Sequence, residues 1–184
     1  MKKFSLFLLA ISALILPSCS LFDKVDDVNF DVKLYQTMNV SVTTSSSSPV
    51  TLEQNQILDA TTNADIAKYG SKIKGYTINK ITYTISDYSS GPNAVTFSNG
   101  KLSFGAAGAS STVAATITSA DLKALSTSGA ESQLSIDQAG LATISDLLLK
   151  NSEVQVTASG TLSSTPVAFK VNTTIYVTVK ADAL

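Results

Sequence analysis

Ser71 and Lys74, and again Ser98 and Lys101, stand three apart. At that S-x-x-K spacing a lysine amine can take a proton from a serine nucleophile. A chain with 27 Ser and 13 Lys in 184 residues produces about two such pairs by composition alone. Ser98 and Lys101 also flank an Asn-Gly turn signal, and neither pair has the S-D-N or K-T-G companions of a Ser–Lys enzyme. Glu53, Asp59, Asp87, Glu131 and Glu153 could in principle pair as an acid and a base for glycoside hydrolysis, but they are scattered along loop-like and strand-like segments. Asp23, Asp26, Asp27 and Asp31 could gather around calcium, yet they lack the D-x-D-x-D-G loop that wraps the ion. The chain contains no His, no Trp and no Arg. The commonest general base and the imidazole metal ligands are therefore missing. No glycine-rich phosphate loop is present, so no cofactor is expected. The expectation is a protein that is not an enzyme and binds no metal.

One thiol remains, Cys19, and its setting is specific. Lys2 and Lys3 precede an apolar run from Phe4 to Leu16, interrupted only by Ser5 and Ser12. As a helix those 13 residues span about 20 Å, short of the roughly 30 Å hydrocarbon core, which fits a secretory leader rather than a membrane span. A single cysteine cannot form an internal disulfide.

Leu16-Pro17-Ser18-Cys19, coming directly after that run, resembles the lipobox of bacterial lipoprotein signal peptides. Pro17 departs from the Ala, Ser or Thr more common at its position. The resemblance implies cleavage between Ser18 and Cys19, a diacylglycerol thioether on the Cys19 sulfur and acylation of the new amine. Two or more acyl chains, at about 0.8 kcal/mol per buried methylene, anchor a protein firmly. Lipoproteins that sort by the residue after the cysteine would read Ser20 as an outer-membrane signal. Asp23, Asp26 and Asp27 resemble the acidic stretch behind the cysteine of some surface-exposed lipoproteins, or serve as an ordinary polar linker.

The chain thus divides into a leader over 1–18, a polar tether over 19–27 and one domain over 28–184. Without the leader, 11 lysines face 14 acidic residues, a side-chain charge of −3. A mildly acidic, arginine-free surface is a poor partner for nucleic acid.

The domain must be built from strands. Hydrophobic residues make up 44 % of the chain, charged residues only 15 %, and 27 Ser with 21 Thr supply about a quarter of all positions. That mixture favours strands and turns. Val28, Phe30, Val32, Leu34, Met38, Val40 and Val42 alternate with polar residues, Gln36 being the exception. The pattern predicts one long strand, or two with a bulge near Gln36. Val154 to Ala158 and Val167 to Val179 alternate likewise, and Ile81, Tyr83, Ile85 and Val113, Ala115, Ile117 suggest further strands. Asn99-Gly100 predicts a two-residue hairpin turn that sets Phe97 opposite Leu102 and Val95 opposite Phe104. Short helices are expected at Asn63–Tyr69, at Ser119–Leu125, and after a capping Asp137 through Leu141, Ile144 and Leu148 to Lys150-Asn151.

About seven strands with a few short helices predict an all-β fold, an antiparallel β-sandwich immunoglobulin-like in general architecture, with a closed barrel as the alternative. The long first and last strands are expected well inside their sheets. Period two places Tyr35 and Tyr176 on wet faces and sets Tyr76 and Tyr88 opposite Ile81, Tyr83 and Ile85, so these four are the candidate binding-surface aromatics. The expected role is that of a membrane-anchored bacterial lipoprotein of the cell envelope. It would act as a non-catalytic structural or protein-binding module at the outer membrane or cell surface, with an envelope protein as partner. The alternatives are a carrier of an apolar or lipid ligand, motivated by many small core residues, and a surface adhesin or glycan binder.

Overall fold

Why alternating Val, Ile and Thr runs need two layers is plain from their chemistry: each strand has one apolar face, and that face must meet another sheet. A computed structural model of the chain describes residues 27–91, 94–111 and 113–183. The leader, the cleavage pair Ser18 and Cys19, and the tether up to residue 26 lie outside the described residues.

Eight strands form two four-stranded antiparallel sheets. They are β1 (Asp27–Ser46), β2 (Val50–Asp59), β3 (Ile73–Ser90), β4 (Thr96–Gly105), β5 (Val113–Asp121), β6 (Ser132–Gln133), β7 (Glu153–Leu162) and β8 (Thr165–Asp182). One sheet runs β1-β8-β3-β6 and the other β2-β7-β4-β5. The β-sandwich expected from the sequence is therefore present. Its two face-packed sheets match the general architecture of immunoglobulin-like domains, while the strand order is that of an eight-strand jelly roll.

Helices α1 (Ala64–Tyr69), α2 (Leu122–Ser128) and α3 (Gln138–Asn151) fill the connections. Each begins on a side-chain cap of the expected chemistry. Asn63 Oδ1 accepts from the backbone N–H groups of Asp65 and Ile66, Asp121 accepts from Ala124, and Asp137 accepts from Gly140 at 2.7 Å. Helix α2 starts three residues later than predicted, because Ser119, Ala120 and Asp121 are still paired with Ser98, Phe97 and Thr96. Strand pairing there outweighs a local helix signal. Among the described residues no helix is long and apolar enough to cross a membrane.

Two clusters make the core. The larger holds Leu34, Met38, Ile81, Phe104, Val156 and Val177 between the sheets and receives Leu141, Ile144 and Leu148 of α3. The smaller joins Val40, Leu52, Phe97, Leu162 and Phe169 with Leu122 of α2. Gln36 does not mark a bulge. It pairs with Thr173 in an unbroken β1–β8 ladder and points inward, 6 % exposed, and the irregularity falls instead between Val42 and Ser46.

The expected placement of the terminal strands holds for β8 and fails for β1. Strand β8 pairs β1 on one side and β3 on the other, whereas β1 is an edge. Alternation reports that one face is covered, and an edge strand under a second sheet satisfies that as well as a central one. Strand β1 also starts at Asp27, so that residue belongs to the sheet and not to the tether.

The predicted hairpin at Asn99-Gly100 does not form. Strand β4 runs straight through these residues, paired with β5 on one side and β7 on the other. Between the pairs Ser98–Thr161 and Lys101–Ser159, Asn99 and Gly100 together oppose Gly160, which is a β-bulge with Asn99 at φ 50. The same left-handed tolerance that suits Asn for a turn suits it for a bulge. One inserted residue also inverts the parity of the strand, which is why Phe97 and Leu102 share a buried face without a turn between them.

Candidate binding face

The outer face of β1, β8 and β3 carries the most unusual surface chemistry of the described residues. Tyr176 sits at the centre of β8, paired with Lys33 of β1 on one side and Lys80 of β3 on the other. Both amines lie over its ring, Lys33 Nζ at 5.0 Å and Lys80 Nζ at 4.2 Å from the centroid. The Tyr176 hydroxyl donates to Glu131 Oε1 at 2.9 Å. That bond to a carboxylate, with desolvation second, holds the phenol above its ordinary pKa. In the next row Asn79 Nδ2 donates to Thr178 Oγ1 at 3.0 Å, and Thr178 Oγ1 donates to Asp31 Oδ1 at 2.6 Å. Tyr35, two residues beyond Lys33 on β1, is 70 % exposed. Asp31, Lys33, Asn79, Lys80 and Tyr176 line a shallow, open depression of about 320 Å³.

A bulge makes this arrangement possible. Between the pairs Ile78–Val177 and Lys80–Tyr176, β3 carries one extra residue, Asn79. Ile78 and Ile81 therefore both turn inward, and Asn79 and Lys80 both turn outward beside Tyr176. Bulges re-aim side chains in this way.

Of the four candidate aromatics, Tyr35 and Tyr176 occupy the outer face as expected. Tyr76 and Tyr88 do not join them. The Asn79 bulge reverses the parity between Tyr76 and Ile81, so Tyr76 pairs with Val179 and packs, half-buried, on the larger core cluster. Its burial pushes the hydroxyl pKa up. Tyr88 lies at the third irregularity of β3, between Ser86 and Ser89, and packs on the smaller cluster with its hydroxyl accepting the Val95 N–H at 3.1 Å. Cys19 and Ser18 lie outside the described residues. Lys33, Lys80 and Asn79 were not singled out from sequence, and Glu131 was considered only as one of the scattered carboxylates. The sequence Ile78-Asn79-Lys80-Ile81, two polar residues between two apolar ones in a strand, is the signal that could have found the bulge.

The other chemical candidates have structural employment. Lys74 bridges Asp27 at 3.0 Å and Asp182, and Asp27 also meets Lys180 at 2.7 Å. Hydrogen bonds from Lys180 and Lys74 hold the Asp27 carboxyl below its usual pKa, and the hydrogen bonds of Lys74 to Asp182 and, second, to Asp27 raise the Lys74 amine. Ser98 Oγ donates to the Thr161 carbonyl at 3.5 Å, and among the described residues no hydrogen bond joins Ser98 to Lys101 or Ser71 to Lys74. Asp59 caps a 3-10 turn through Thr61 N, and Asp87 pairs with Lys170 at 2.7 Å. Among the described residues no three of His, Cys, Asp and Glu come together as metal ligands. The enclosed apolar space between the sheets, lined by residues including Leu52, Tyr83, Phe97 and Phe169, is about 30 Å³. That admits about one water-sized probe and no acyl chain.

No protein-family model and no curated protein sequence matches the chain. Solved structures similar to part of its outline include that of Desmodium yellow mottle tymovirus, at 10 % identity and a TM-score of 0.36 over 86 % of this chain and 89 % of that one. Turnip yellow mosaic virus follows at 9 % identity and 0.30 over 85 % of this chain and 96 % of that one. Likenesses of this size decide nothing about function.

Proposed function

We propose that the chain is a bacterial envelope lipoprotein, anchored through lipid on Cys19, whose jelly-roll domain is a non-catalytic binding module. The observation that carries the anchor is Leu16-Pro17-Ser18-Cys19 placed immediately after a 13-residue apolar run with two lysines ahead of it. Residues 20–26 reach at most about 25 Å, so the domain stands close to the outer membrane that the Ser20 signal implies. The face that supports binding is the one bearing Tyr35 and the Lys33–Tyr176–Lys80 row, since exposed tyrosines are common anchors of recognition. A partner is therefore sought on the outer side of the β1-β8-β3-β6 sheet rather than in the interior.

Cys19→Ser tests the anchor. In a bacterial host supplied with labelled palmitate, the unaltered protein takes up label and sediments with membranes. The variant takes up none and moves to the soluble fraction. Equal labelling or unchanged fractionation refutes the reading.

A further inference from the structure

On the binding-face reading above, we propose that the depression around Tyr176 is a subsite for an acidic saccharide, in which Lys33 and Lys80 hold a sugar carboxylate and Tyr35 stacks on a neighbouring ring. The charge pattern is the first argument. The ion pairs among the described residues engage Lys74, Lys170 and Lys180, and none of them engages Lys33 or Lys80. Two ammonium groups instead converge on one aromatic ring, 5.0 and 4.2 Å from its centroid. Asp31 shares the depression and Glu131 takes the Tyr176 hydroxyl, but neither forms an ion pair with these amines; the two ammonium groups repel each other, and an anion seated between them relieves that repulsion.

The hydrogen-bonding groups around the amines suit a sugar rather than a bare anion. Asp31 is an acceptor oriented by Thr178, and Asn79, which orients Thr178 in turn, adds an amide with both donor and acceptor capacity. A carboxylate in the same depression disfavours a doubly charged phosphate, while it accepts readily from a hydroxyl. Bidentate guanidinium recognition is also absent from a chain with no Arg. Tyr35 lies diagonally across the ladder from Tyr176, since its own partner is Thr174, and diagonal neighbours are about 7–8 Å apart. Its 70 % exposure leaves an aromatic surface open to the apolar face of an adjoining sugar. Glu131 takes the Tyr176 hydroxyl, which holds the ring in place between the two amines.

The test is titration calorimetry on the full lipidated protein in a neutral detergent, with oligogalacturonate as probe. Its methyl ester and oligoglutamate, matched in length, are the comparison probes. Oligogalacturonate binds, the methyl ester binds about tenfold more weakly or not at all, and added salt weakens the interaction. The double variant Lys33→Gln/Lys80→Gln loses about tenfold or more, and Tyr35→Ala loses several-fold. Lys170→Gln, at a lysine already paired with Asp87, leaves binding unchanged. All four substituted side chains lie on the outer face, and an unaltered thermal transition checks that each variant is folded. No binding of oligogalacturonate at low salt, binding unaffected by the double variant, or equal binding of oligoglutamate overturns the proposal, the last by pointing to an acidic peptide. A lipidated protein that ignores acidic sugars sinks the saccharide subsite alone. An unlipidated protein that binds them sinks the anchor alone.

Discussion

Gly160→Ala adds a single methyl group at the point where the bulge of β4 presses against β7, and its effect follows from distances. A Cβ at Gly160 would stand 2.5 Å from Phe97 Cε2, nearer still to Cζ, and 3.1 Å from the Cα of Gly100. Ordinary carbon contacts are about 3.5–4.0 Å, so the ring must withdraw by about 1 Å or more. Phe97 is 8 % exposed and packed among Leu52, Leu162 and Phe169, so its retreat displaces the smaller core cluster. On the other side the obstacle is backbone, which yields less than a side chain. Overpacking of this kind costs about 1–3 kcal/mol, and the lower entropy of an unfolded chain with Ala offsets about 0.4–1 of it. The net expectation is a loss of about 1–2 kcal/mol. In urea, followed by far-UV circular dichroism and with a slope of about 2 kcal/mol per molar, the midpoint falls by about 0.5–1 M. Gly75→Ala is the control: nothing lies within 4 Å of its added Cβ and its φ is not left-handed, so the midpoint stays or rises slightly. Phe97→Leu combined with Gly160→Ala costs less than the sum of the two, because the shorter side chain makes room for the new methyl. A Gly160→Ala midpoint within about 0.2 M of the unaltered protein, or strict additivity in the double variant, refutes the account of the bulge.

Two further outcomes follow. Phe169→Ala removes a ring that is 4 % exposed on the central strand β8, opposite Val40, and costs about 3–5 kcal/mol by the same urea assay; a loss below about 1 kcal/mol means the inner face was assigned wrongly. Asp27 gives a pH dependence. Lys180 and Lys74 hold its folded-state pKa below the ordinary 3.8, so its contribution is present above that value and is lost as the pH falls through the depressed one. Between about pH 4 and 2, Asp27→Asn therefore loses thermal stability less steeply than the unaltered protein, and parallel melting profiles would show that the clamp contributes nothing.

The accuracy of the period-two reading tracks the bulges strand by strand. Strand β8 has none, and β1 has its only irregularity beyond Val42, so Tyr176 and Tyr35 fall on the faces their parity assigns. Strand β3 has three, near Lys74, Asn79 and Ser86–Ser89. Each one reverses every side chain beyond it relative to those before it. Tyr76, separated from Ile81 by the second bulge, and Tyr88, lying at the third, therefore end up against the core. The cap at Asp137 could be read locally because a cap is a contact within three residues; Asn63 and Asp121 cap through contacts just as short without having been named as caps, and the start of α2 was displaced by pairing that its own sequence does not contain.

Asn99-Gly100 shows the same division most clearly. A two-residue turn and a one-residue bulge both need a residue tolerant of φ > 0, and both bring Phe97 and Leu102 to one side. The apolar pattern cannot separate them. What separates them is the far strand: Gly160 of β7, some sixty residues away, leaves the Phe97 ring room to lie across the bulge, and β5 offers a continuous ladder on the other edge. A local signal whose two outcomes bury the same side chains is decided by its partners. The Lys33–Tyr176–Lys80 row follows the same rule, for Lys80 reaches it only because β8 forces the extra residue at Asn79 out of the ladder. The proposed site thus depends on where the bulge falls: with Asn79 held in the ladder opposite Tyr176, Lys80 would oppose Ile175 on the inner face, whereas deleting Asn79 would leave a regular ladder with Lys80 still opposite Tyr176.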